Sequence, residues 1–386
     1  MKVAERLRSI PPYVFAQIDK VKEELLKQGK DLVDLGIGDP DQPTPANVID
    51  SMIEAVKNPA THRYPPYEGD KSFREAMAER YAQRFGVQLD PQREVMTLIG
   101  SKEGISHLIW AFVGPGDVAL VPDPAYPVYY IQTLLAGGEP YPMPLKEENG
   151  FVPDLESIPK SVVEKAKIMF VNYPNNPTAA VTDLAFFEKA VAFAKKNDIV
   201  LVHDAAYVEM TYDGYVAPSI LQVPGAKEVA VECYSLSKPF NMTGWRIGAA
   251  VGNSDILYKG LGIVKTNTDS GQFRAIQWAG ATALRDHPDS FIAKMNEIYK
   301  ARRDVMVEGL KKLGFQVKAP LGSFYIWLRV PEGFNSASFT KHLLEKCQIV
   351  VVPGTAYGKC GEGFVRIALT VDCDRLEEAI RRMSAV

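Results

Sequence analysis

The chain has 386 residues, enough for two domains but not many. Its 46% apolar and 24% charged content is that of an ordinary soluble globular protein, and a net charge of −3 argues against nucleic acid or an anionic membrane as partner. Met1–Arg8 alternates charge without an apolar core, so it does not read as a secretory signal, and no apolar run approaches the ~18 residues that span a bilayer. The cysteines at 233, 347, 360 and 373 lack the Cys-x-x-Cys pairing of zinc sites. The expectation is a cytoplasmic protein with reduced thiols and no metal.

Taken in chain order, Tyr64-Pro65-Pro66-Tyr67-Glu68-Gly69 reads locally as a proline-rich surface turn, followed by a helix over Lys71–Phe85. Leu98-Ile99-Gly100-Ser101-Lys102 is a strand end, a tight glycine turn and the start of a helix to Phe112. Backbone N–H groups at such a helix start attract anions, so Ser101 and Lys102 are candidates for a phosphate; a capped helix with no ligand is the alternative. A strand Val118–Val121 leads into Pro124-Ala125-Tyr126-Pro127. Another, Ile168–Val171, leads into Tyr173-Pro174-Asn175-Asn176-Pro177-Thr178, whose Asn-Pro steps are by themselves ordinary turn signals. After a helix over Leu184–Lys196, the apolar run Asp198–Val202 ends in His203-Asp204-Ala205-Ala206-Tyr207. An aspartate at the carboxyl end of a buried strand sits where open α/β sheets bind ligands, although Asp204 could also cap a helix. His203 reads as a packed strand-end histidine.

The most informative segment is Ser235-Leu236-Ser237-Lys238, with Arg246 eight residues beyond the lysine. A lysine on a hydroxyl-rich turn can form a Schiff base with an aldehyde cofactor. Ser235, Ser237 and Arg246 are donors of the kind that hold a phosphate dianion. One segment therefore offers both attachments that pyridoxal 5′-phosphate (PLP) requires. Strands and helices alternate from about Arg93 to Ala250, as in a mostly parallel sheet covered on both faces. Asp289–Leu313 is charged and periodic, suited to a long helix linking two domains. Beyond it, Gly314–Lys318, Gly322–Leu328 and Gly363–Leu369 read as strands, with helices near Ser336–Lys346 and Arg375–Met383, giving a separate α+β unit. Arg366 interrupts the last apolar strand, and a buried arginine needs an anionic partner.

The pattern Ser-x-Ser-Lys-(x)7-Arg-x-Gly resembles the lysine motif of class I/II aminotransferases, the PLP enzymes of fold type I. The likeness runs from Gly36-Ile37-Gly38-Asp39-Pro40 to Arg366 in that family's order. It implies an α/β fold: a mostly parallel sheet sandwiched by helices over residues 46–288, with a smaller α+β domain from 1–45 and 289–386. It implies that Asp204, 34 residues before Lys238, pairs with the pyridinium nitrogen, and that Tyr207 and Asn176 donate to the ring 3′-oxygen. Tyr126 would stack on the ring and Arg366 would bind the substrate α-carboxylate through two prongs. Tyr64 would reach the cofactor phosphate of a neighbouring subunit, which implies a homodimer with shared sites, and the segment around Ser270 would cross in the same way. Where the family commonly has glycine after the Asn-Pro-Thr turn, this chain has Ala179.

The reaction implied is ping-pong transfer of an amino group between an amino acid and a 2-oxo acid, with Lys238 as tether and general acid–base. The motifs Pro11-Pro12-Tyr13-Val14-Phe15, Gly36–Asp41, Gly100–Gly104 and Asn241–Arg246 are most similar to those of LL-diaminopimelate aminotransferases. On that likeness Tyr13, Gly38, Lys102, Asn176 and Tyr126 line the substrate pocket. Tyr67 stands where some of those enzymes carry a glutamate. Aspartate- or alanine-type transamination and PLP-dependent C–S β-lysis are the alternatives left by the sequence.

Overall fold

The runs Ala166–Val171, Val200–Asp204 and Ala230–Ser235 are nearly wholly buried, the pattern of strands covered on both faces. The computed structural model describes residues 2–8, 10 and 14–384. Its central sheet contains β1 (Val95–Leu98), β2 (Val118–Asp123), β3 (Glu139–Pro144), β4 (Ala166–Val171), β5 (Val200–Asp204), β6 (Ala230–Ser235) and β7 (Gly248–Gly252). The spatial order is β1-β7-β6-β5-β4-β2-β3. β7 is antiparallel to both neighbours and the other pairings are parallel.

Successive side chains of a strand point to opposite faces, and the cores divide accordingly. Met169, Val171 and Leu201 join one cluster with Phe73, Phe187 and Tyr234. Ile168, Phe170 and Val202 join another with Leu108, Tyr129 and Leu257 on the other face. The helix Lys71–Phe85 occupies the expected residues because both ends are built: Asp70 accepts from the Ser72 amide, and Gly86 takes a left-handed φ of 68° beyond the end.

A third core surrounds a three-stranded antiparallel sheet of β8 (Tyr325–Arg329), β9 (Val352–Pro353) and β10 (Phe364–Ala368), in the order β9-β10-β8. The long helix runs over Pro288–Lys312, starting at proline because the first turn of a helix needs no N–H donor there. Its Tyr299, Met306 and Leu310 pack on Phe324, Ile326 and Leu328. The helices Ser336–Cys347 and Cys373–Ser384 complete this unit. One expected strand is absent. Phe315 and Val317 are partly buried and Gln316 and Lys318 exposed, so the alternation is real, but Gly314–Lys318 meets no partner backbone and remains extended coil. No helix among the described residues is long and apolar enough to cross a membrane.

Candidate active site

The carboxyl ends of β2, β4, β5 and β6 and the turn after β1 open on one cavity of about 550 Å³. This is the edge at which open α/β sheets bind ligands. Residues Gly36–Asp39 and Arg366 of β10 close it from the other unit. Lys238, Asp204, Tyr207, Asn176, Tyr126, Ser101, Lys102, Ser235, Ser237, Arg246, Arg366 and Gly38 all line it. Tyr13 lies outside the described residues.

Lys238 Nζ donates to the Gly38 carbonyl at 2.8 Å. Burial lowers its pKa to about 8; Arg366 and Arg246 push the same way and Asp39 opposes them. The amine is therefore largely neutral in mildly alkaline solution, as a nucleophile or base must be. Asp204 ends β5 with its carboxylate on the cavity side. Tyr129 donates to its Oδ2 at 2.7 Å, and Asn172 Nδ2 donates to its main-chain carbonyl at 2.7 Å. Its Oδ1 is buried with no hydrogen-bond partner among the described residues. Such an oxygen calls for a donor, and a protonated pyridine nitrogen is one. Burial raises the pKa of Asp204, against the hydrogen bond from Tyr129 and the nearby His203 and Lys238. Burial also pushes the Tyr129 and Tyr207 hydroxyls well up, so both stay protonated. His203, on the opposite face of β5, is fully buried and bonds Glu232 at 2.8 Å and the Tyr173 carbonyl at 3.0 Å.

At the opposite end, Gly100 has φ 73° immediately before the helix Ser101–Phe112. A Cβ there would lie 2.4 Å from Arg246 Nη2, so only glycine lets the guanidinium approach this helix start. Arg246 itself has a left-handed φ of 55°, and its Nη1 donates to the Thr243 carbonyl at 2.8 Å. Ser235 and Ser237 are buried beside it, with the Ser237 amide donating to Ser235 Oγ at 3.2 Å. Amides, hydroxyls and a guanidinium converge here, and a phosphate group fits that donor set.

Arg366 is buried between two rings, 4.2 Å from the centre of Tyr325 and 4.9 Å from that of Tyr357. Its Nη1 donates to Asn176 Oδ1 at 2.9 Å and its Nη2 to the Gly36 carbonyl at 2.7 Å. Because Asn176 accepts through its oxygen, its NH2 remains as the donor. Lys102 Nζ stands 5.8 Å from the centre of the Tyr126 ring. Ala179 adopts φ 56°, the left-handed conformation that favours glycine, so the Asn-Pro-Thr turn keeps that shape with an alanine.

Tyr129, Asn172, Tyr325, Tyr357 and Asp39 escaped the sequence reading. Tyr129 is one helical turn beyond Tyr126 and Asp39 adjoins Gly38, so local signals existed for these two. Tyr325 and Tyr357 reach the cavity from the other unit, and nothing in their surrounding sequence marks them. Tyr64 does not line the cavity of its own chain and is 91% exposed. The segment bearing Ser270 lies beside it: Gly271 packs on Pro65, and Arg274 Nη1 donates to the Ala60 carbonyl at 3.1 Å.

Residues 30–383 match the family model of aminotransferase class I and II. The chain belongs to the class I/II aminotransferases. It is a PLP-dependent transaminase of fold type I, and the orphan oxygen of Asp204 and the Gly100–Arg246 cradle fit that cofactor. It is 53% identical to LL-diaminopimelate aminotransferase of Moorella thermoacetica over 386 residues, covering 100% of this chain and 98% of that protein. The enzyme of the same name from Halothermothrix orenii is 54% identical, with 99% and 98% covered. Substrate-bound BacF of Bacillus subtilis superposes with a TM-score of 0.94 at 39% identity, covering 100% of this chain and 98% of that one.

Proposed function

We propose that the protein is an LL-diaminopimelate:2-oxoglutarate aminotransferase of lysine biosynthesis. One observation carries the substrate class: with Lys238 and Arg246 given to the cofactor, Arg366 and Lys102 are two further cations on the same cavity. Diaminopimelate, glutamate and 2-oxoglutarate all bear a carboxylate at each end, so each half of the reaction offers two anions to the same two cations. Relatives of that name at more than half identity support the same choice.

In this reading Lys238 would hold the cofactor through its amine, and that amine, once free, would move the proton at the substrate α-carbon. PLP, when bound, supplies the electron sink for the pair left behind. Asp204, with Oδ2 held by Tyr129, would keep the pyridine nitrogen protonated. Tyr207 and the Asn176 NH2 would donate to the ring oxygen, Tyr126 would cover the ring face, and the Ser101 and Lys102 amides with the Ser101, Ser235, Ser237 and Arg246 side chains would surround the phosphate. Arg366 fixes the α-carboxylate in its fork beside Gly38, and Lys102 also meets the distal carboxylate. Residues 46–288 form the large domain, and 1–45 with 289–386 the small one, which the separate core around β8 and β10 supports. Exposed Tyr64, next to the Ser270 segment, completes the site of a second subunit, making the active form a cytoplasmic homodimer.

The test is a coupled assay of 2-oxoglutarate-dependent consumption of LL-diaminopimelate, with aspartate and alanine as competing donors. Diaminopimelate should give the highest kcat/KM. Preference for either control would move the substrate assignment, and release of pyruvate and ammonia without an oxo acid would identify a lyase. Lys238→Ala should lose the visible absorbance of the lysine-bound cofactor together with turnover.

A further inference from the structure

Asp123, the last residue of β2, is buried yet does not line the active-site cavity. Three residues later the same chain presents Tyr126 to the cavity. Asp123 points to a turn of the other unit. Its Oδ1 accepts from the Cys360 amide at 3.0 Å, while in the reverse direction the Ala125 amide donates to the Tyr357 carbonyl at 2.8 Å. Between these two bonds the turn crosses Asp123 on bare backbone: Gly358 has φ 139°, and a Cβ there would lie 2.0 Å from Asp123 Oδ1. Burial raises the Asp123 pKa, while the Cys360 and Lys359 amides oppose that shift.

What the turn carries gives the contact its importance. Tyr357 faces the cavity and lies against the Arg366 guanidinium, with its ring also packed on Trp327, 6.2 Å between centres. Asp123 and Ala125, one bond each, thus clasp the loop of Tyr126 to the turn whose ring flanks Arg366. The first follows β2 of the central sheet and the second lies on the turn between β9 and β10.

We propose that Asp123 is a positioning residue for substrate, which holds the Tyr357–Cys360 turn so that Arg366 and Tyr126 stand at the spacing an amino acid needs. The proposal rests on the assignment of Arg366 to the substrate carboxylate. It separates Asp123 from the groups around Lys238, Asp204 and Arg246, which face the cofactor.

The experiment compares Asp123→Ala, Asp123→Asn and Gly358→Ala as holoenzymes, with rates normalised to the cofactor-bound fraction. Loss of one positioning hydrogen bond to a carboxylate should raise KM about 10-fold for the amino donor and for the 2-oxo acid alike, with kcat changed less than about 3-fold. The PLP absorbance and affinity should stay at wild-type values. Asp123→Asn keeps an oxygen for the Cys360 amide and should recover most of the KM. Gly358→Ala keeps the carboxylate but drives it off the turn, so it should repeat the Asp123→Ala pattern and serves if that variant folds poorly. A purely structural role would lower the melting temperature without moving either KM, and that result would overturn the proposal, as would a loss of PLP affinity equal to the rise in KM. Arg366→Lys is run in parallel. If its KM values are normal, the Arg366 assignment itself has failed; if they rise while those of Asp123→Ala do not, the clasp alone is refuted.

Discussion

Burial makes Lys238 a usable base. An ordinary lysine, at 10.5, is protonated at neutral pH, but desolvation brings this one to about 8. The sign follows directly: lowering the pKa of a cation enlarges the neutral fraction at every pH below the ordinary value. Uptake of PLP by the cofactor-free enzyme, which needs the neutral amine, should therefore quicken about tenfold per pH unit below 8 and level off above it. Stopped-flow absorbance across pH 6–10 checks this, and a rate still climbing near pH 10 would show an ordinary lysine. Arg366 illustrates a different residue property, the planar fork. Arg366→Lys replaces two parallel donors by a point charge and should cost about 2–4 kcal/mol, or roughly 30- to 1000-fold in kcat/KM for donor and acceptor alike. The cofactor spectrum should not change; loss of PLP with normal substrate binding would mean that Arg366 and Arg246 have each other's roles.

At the scale of elements, the site is a set of strand ends and one helix start. The Gly100 turn shows how an element end becomes a binding device, because it lets Arg246 approach the first amides of the Ser101–Phe112 helix. Gly100→Ala combines a strained φ of 73° with a methyl against the guanidinium, so it should weaken PLP binding by at least about tenfold. Titrating cofactor-free protein with PLP measures that, and circular dichroism should show the helices intact. Wild-type affinity would remove the cradle from the phosphate site. Helices with both ends built, such as Lys71–Phe85 between Asp70 and Gly86, were legible from sequence because capping residues act locally. Gly314–Lys318 was misread because alternation reports one buried side, whereas a strand also needs a neighbouring backbone, which no local pattern encodes.

Across the whole molecule, buried ion pairs tie distant segments. Arg80, 1% exposed, bonds Glu209 at 2.9 Å and Asp289 at 2.6 Å, joining the Lys71–Phe85 helix to the segment after β5 and to the start of the long helix. Arg84 at 3.2 Å and Tyr234 at 2.9 Å also serve Glu209. Arg80→Ala would leave that buried carboxylate short of its closest charge and should destabilise the fold by about 3 kcal/mol. Urea denaturation measures the loss, while kcat per cofactor-bound site should be unchanged because none of these groups lines the cavity. A loss under 1 kcal/mol would show that Arg84 and Tyr234 suffice.

Lys238, Asp204 and Arg366 could be singled out before any fold, because each stands in a short segment whose residue types already suggest a task, whereas Asn176 was marked only by the family resemblance of its turn. Apolar runs ending in polar residues likewise announced the carboxyl edge of a parallel sheet. Sequence by itself could not show which groups from distant segments meet. Tyr325 on Arg366 and Tyr129 on Asp204 within one unit, and Gly358 against Asp123 across two, are contacts between segments far apart in the chain. Local signals come from backbone conformation and burial periodicity, which neighbours in sequence control. Such contacts instead depend on how strands pair and how the packed cores settle against each other, and only the folded chain fixes that geometry.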